Sequence, residues 1–97
     1  MLRLVNAGFG NMISADKVVA IISPNSAPAK RLKDEAKESG RLVDITQGRR
    51  TRSIIITVAN QVILSAVQVE TIAGRFQHEA ERPLEAQDIV KLVDKQA

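Results

Sequence analysis

The residues of this chain best suited to chemistry are three arginines within four positions, in Gly48-Arg49-Arg50-Thr51-Arg52-Ser53. Planar guanidinium forks beside the Thr51 and Ser53 hydroxyls and free loop amides are the donor set that binds phosphate oxygens. A solvated basic turn is the competing account of so short a motif. Other chemistry is hard to assemble. His78 is the only histidine, flanked by Glu79 and Glu81, and has no convergent partner for a metal site or a catalytic dyad. Ser14 and Asp16 form no nucleophile motif, and Asp34, Glu35 and Glu38 sit on a helix that faces water. Gly8-x-Gly10 lacks the third glycine of a dinucleotide loop. The expectation is a protein that is not an enzyme, with no cofactor, no metal and no small-molecule substrate.

The elements that must position the arginines follow from hydrophobic period. Leu2 to Val5 reads as a short strand, broken by Asn6-Ala7-Gly8-Phe9-Gly10-Asn11, a turn whose Phe9 is expected to plug the end of a small core. Lys17 to Ile22 is a β-branched run suited to a well-buried strand. Ser23-Pro24-Asn25-Ser26-Ala27-Pro28 then stops the sheet and starts a helix, with Ala29, Leu32 and Ala36 as its apolar stripe and Gly40 as its end. Its charged face is either plainly solvated or, through Arg31, an extension of the arginine surface. Arg41 to Thr46, Ser53 to Val58 and Val62 to Ala66 read as three strands of an antiparallel meander, placing the arginines at a hairpin tip where Gly48 takes a positive φ. Arg50 and Arg52 then point to one side and Arg49 to the other. A second helix, with Val69, Ile72, Ala73 and Phe76 on one stripe, packs on the core or meets a partner. A polar stretch from Gln77 leads to a last helix from Pro83, so the chain divides into a domain over 1–78 and a helical appendage over 79–97. The fold class is α+β, a small antiparallel sheet with short helices.

With 97 residues and only Phe9 and Phe76 as aromatics, the chain makes one domain with an aliphatic core and no platforms for stacking single-stranded bases. The absence of cysteine excludes disulfides and thiol catalysis and fits a reducing cytoplasm. Met1 to Asn6 lacks the apolar core of a signal peptide and no stretch reaches membrane-spanning length, so a cytoplasmic protein without membrane contact is expected. Net charge is only +3, yet residues 25–52 hold eight basic side chains against four acidic ones. A monomer with that balance binds polyanions weakly, whereas an oligomer aligning its basic edges multiplies the field.

Four blocks carry a resemblance: Asn6-x-Gly8-Phe9-Gly10-Asn11, Ser23-Pro24-x-Ser26-Ala27-Pro28, Gly48-Arg49-Arg50-Thr51-Arg52 and Val62-Ile63-Leu64-Ser65-Ala66-Val67-Gln68. In this order, over residues 1–76, they resemble the RemA family of bacterial extracellular-matrix regulators. The resemblance implies a transcriptional activator of matrix and biofilm genes that binds double-stranded DNA, assembles into ring-like homo-oligomers and has a LytTR-like β-rich core. Arg49 and Arg50 match the family's DNA-contacting pair. Lys17 matches a basic position where the family carries Arg, which keeps the charge and loses the bidentate fork. Pro28 matches a family proline and shapes the helix start, and Val69 stands where a proline is expected. Arg52 and Arg31 complete the expected DNA-binding set. The alternative is a structural or protein-interaction homo-oligomer whose arginines pair with Asp44 or Glu70 across a subunit interface.

Overall fold

The computed structural model describes residues 3–80. Two strands, β1 (Leu4–Asn6) and β2 (Met12–Ser14), form an antiparallel hairpin, followed by a single 3-10 turn over Ala15–Lys17. Then come β3 (Val18–Ile22), α1 (Ala27–Glu38), β4 (Leu42–Asp44), β5 (Ser53–Thr57), β6 (Val62–Ser65) and α2 (Val69–Ala80). The α+β class holds. The four-stranded sheet has the order β3-β5-β6-β4.

Sequence explains why β5 and β6 take the centre. Both are apolar on both faces, so each needs a layer above and a layer below it. On one face Ile54, Val62 and Leu64 pack with Ala29 and Ala36 of α1; on the other, Ile55 and Ile63 pack with Ile72 of α2 and Ala7 of the hairpin turn. The side-chain period of two thus sends alternate isoleucines of one strand into two separate cores. The helix starts follow their local chemistry as well. Ser26 caps α1, its hydroxyl accepting from the Ala29 N–H at 3.2 Å, and Pro28 occupies the first turn.

The antiparallel meander expected for the last three strands is corrected. β5 and β6 do form a hairpin, but β4 pairs with β6, in parallel, and never with β5. The reason is burial. β4 is short and mostly exposed, with Val43 and Asp44 facing water, so it belongs at an edge. β3, apolar along its length, takes the other side of β5 through the pairs Ile22–Ile54 and Ile21–Ile55. The segment between β4 and β5 is therefore no hairpin tip. It crosses over the end of β6, with the Ile45 N–H donating to the Leu64 carbonyl and the Arg52 N–H to the Ser65 carbonyl. α2 continues past position 78 to Ala80, and the helix expected from Pro83 lies outside the described residues.

Candidate nucleic-acid interface

The crossover that carries the arginines is held at three points. Asp44, at the end of β4, accepts from both the N–H (2.9 Å) and the hydroxyl (2.6 Å) of Thr46, which is itself buried. These bonds hold the Asp44 carboxyl below the ordinary aspartate range, helped by Lys33. Next, Gln47 and Gly48 both take positive φ, 53° and 80°, and the Arg49 N–H closes the turn on the Thr46 carbonyl at 3.0 Å. Consecutive positive φ values make a tight reversal for which glycine is the natural second residue. Finally, the Arg52 N–H bonds to β6 at 2.8 Å before β5 begins.

This backbone splits the arginines. Arg50 and Arg52 line a groove of about 540 Å³ whose walls are residues 23–25, between β3 and α1, and residues 68–70, at the start of α2. Arg49 turns to the β1–β2 loop, where its guanidinium carbon stands 5.9 Å from the centre of the Phe9 ring. All three arginines are exposed, and among the described residues none has a hydrogen-bond or ion-pair partner for its side chain. The groove brings two guanidinium forks together, a setting for a phosphate-sized anion. Glu70 lines the same groove and offsets part of its positive charge.

The remaining expected residues stand elsewhere. Lys17 lies at the opposite end of the sheet: its carbonyl accepts from the Val58 N–H, five β3 residues from the arginine end, roughly 16 Å at the usual strand rise. Arg31 is exposed on α1 and does not line the groove. Asp44, one of the two acidic partners considered for the arginines, is committed to Thr46. Phe9 corrects its expectation outright, being half-exposed beside Arg49 instead of plugging the core. The groove walls were not legible in sequence, because residues 23–25 and 68–70 meet the arginines only through the sheet order. A second cavity, about 640 Å³ between the β1–β2 hairpin and α2, is mainly apolar. No group of three or more potential metal ligands occurs among the described residues, and none of their helices is long and apolar enough to cross a membrane.

Fold and site together define a small α+β domain that presents a basic, unpaired arginine crossover from one end of its sheet. Residues 4–76 match the RemA-like family, described as extracellular matrix regulatory protein A-like, and the chain belongs to that family. It is 63% identical over 76 residues to a protein of Pseudothermotoga lettingae, covering 78% of this chain and 84% of that one. It is also 58% identical over 87 residues to a Thermotoga maritima protein, covering 87% and 95%. A third relative, from Oleidesulfovibrio alaskensis, is 62% identical over 74 residues, covering 76% and 88%. All three carry the name "Putative regulatory protein". Family and relatives therefore give the chain a regulatory role.

Proposed function

We propose that the chain is a DNA-binding regulator of transcription, an activator of extracellular-matrix genes in the bacterial cytoplasm that works as a ring-like homo-oligomer. The observation that carries this is the set of three guanidiniums, Arg49, Arg50 and Arg52, exposed on one crossover with no hydrogen-bond or ion-pair partner among the described residues. Unpaired guanidiniums held by an ordered backbone are suited to phosphate oxygens, and they supply affinity with little reading of base sequence. One protomer offers few such contacts. A ring repeats them along a curved track on which a duplex bends, so that sequence enters through DNA deformability. Among the described residues no further strand pairs with the outer edges of β3 and β4, and a head-to-tail arrangement of protomers also gives Lys17, at the far end of its own sheet, a route to the arginine crossover of a neighbour. Arg31 then lies beside the duplex as a secondary contact.

One observation favours a second reading. Glu70 shares the groove of Arg50 and Arg52 without pairing to either, so a neighbouring protomer that shifted these side chains would make them interface salt bridges. Fluorescence anisotropy of a labelled AT-rich duplex, with light scattering on the same samples, separates the two. DNA binding lost in a correctly assembled Arg50→Ala variant supports the regulator. Collapse of assembly in that variant, with no DNA affinity in the wild type, supports the salt bridges.

A further inference from the structure

Phe9 is held where a core residue would not be. Its φ is 54°, in the left-handed region that disfavours bulky side chains, and it is flanked by Gly8 and Gly10 at 108° and 78°. The loop leaves it no alternative. The Ala7 N–H donates to the Asn11 carbonyl at 2.8 Å, the Asn11 N–H to the Gly8 carbonyl at 2.9 Å, and the Gly8 N–H to Asn6 Oδ1 at 2.7 Å. Gly8 is also packed so closely that an added Cβ would stand 3.1 Å from Val67 Cγ2. An aromatic ring in a strained conformation is normally repaid by burial, but Phe9 remains 47% exposed. Phe76, the other aromatic, packs against a core cluster, which leaves Phe9 as the one exposed ring of the described residues. The cation beside its ring is Arg49, from the crossover that holds the exposed guanidiniums.

We infer that Phe9 is an apolar contact to duplex DNA, its ring pressing on deoxyribose and base edges at a deformable step of the groove entered by Arg49. This rests on the DNA-binding proposal above. The charge of the neighbouring crossover selects a polyanion as the occupant, and a lone ring beside an arginine suits a wedge, whereas successive stacking of single-stranded bases needs several platforms. With Arg49 beside it, the ring delivers apolar contact and charge to the same point.

The test is duplex binding across a salt series for wild type, Phe9→Asn, Phe9→Leu, Arg49→Ala and Arg50→Ala, on an AT-rich duplex containing TA steps. Asparagine is the non-glycine residue most at ease at this φ, so Phe9→Asn keeps the loop while removing the ring. The expected result is a loss of affinity of about tenfold in Phe9→Asn at every salt concentration, with the slope of log affinity against log salt unchanged, a raised melting temperature, and most of the affinity restored in Phe9→Leu. Wild-type affinity in Phe9→Asn overturns the inference while loss of binding in Arg50→Ala leaves the DNA assignment standing. A slope reduced by about 0.9 in Phe9→Asn, matching Arg49→Ala and not rescued by Phe9→Leu, makes the ring a mere shelf for Arg49 and overturns it too. Absence of wild-type binding at low salt removes both assignments.

Discussion

Ser53 and Ser65 face each other across β5 and β6, both fully buried, yet alanine at the two positions is expected to move stability in opposite directions. The Ser65 hydroxyl donates to the Ala7 carbonyl at 2.8 Å and accepts from the Val67 N–H at 3.0 Å, joining the β1–β2 turn and the entry to α2 to the central strand. The Ser53 hydroxyl has no partner among the described residues. Removing an unpaired buried hydroxyl relieves its desolvation cost, so Ser53→Ala is expected to gain about 1 kcal/mol. Ser65→Ala strands the Ala7 carbonyl and the Val67 N–H and is expected to cost about 1–3 kcal/mol. The two variants then differ by on the order of 15 °C in melting temperature for a domain of this size. The chain has no Trp or Tyr, so far-ultraviolet circular dichroism in urea and heat is the assay, at fixed protomer concentration because any assembly adds to stability. A Ser53→Ala variant destabilised as much as Ser65→Ala would refute the reasoning.

Two further outcomes test the crossover. Gly48 has a φ of 80° and nothing within 4 Å of an added Cβ, so its requirement is one of backbone alone: Gly48→Val is expected to cost about 1–2 kcal/mol, and Gly48→Asn much less, in thermal melts. Thr46 bonds hold Asp44 depressed in the folded state, so the stability they contribute is full above the unfolded carboxyl value and is lost as pH falls through the folded one. Thr46→Val should raise the Asp44 value toward the ordinary range and flatten this acid loss, measured by carboxyl NMR titration and urea melts from neutral pH downward; an unchanged titration would place the cause elsewhere.

Elements were more legible in the sequence than their neighbours. The apolar β-branched run from Ser53 to Val58 marked a strand, and Ser26 with Pro28 marked the start of α1. Apolar period fixes the faces of a strand and is silent on which strand lies beside it. That is why the parallel β4–β6 pair, and with it the crossover and the walls of its groove, had to come from the structure. The distance between Lys17 and the arginines has the same origin, since it depends on the register of β3 against β5. Phe9 was misread because hydrophobicity in an aromatic-poor chain suggests burial, while the flanking glycines, which turn it outward, reveal only that a turn exists. The exposure of the arginines needed no such knowledge, because three guanidiniums within four residues have no room to be buried together.

The most direct measurement is the salt dependence of duplex binding by wild type and Arg50→Ala. Log affinity falls with log salt by about 0.9 per neutralised phosphate, so a protomer engaging Arg49, Arg50 and Arg52 contributes a slope of about 2.7, dropping to about 1.8 in the variant, with a ring multiplying both. A steep wild-type slope reduced in a fully assembled Arg50→Ala protein is the predicted result. Equal slopes, or no wild-type binding at low salt, would contradict an arginine crossover that grips DNA.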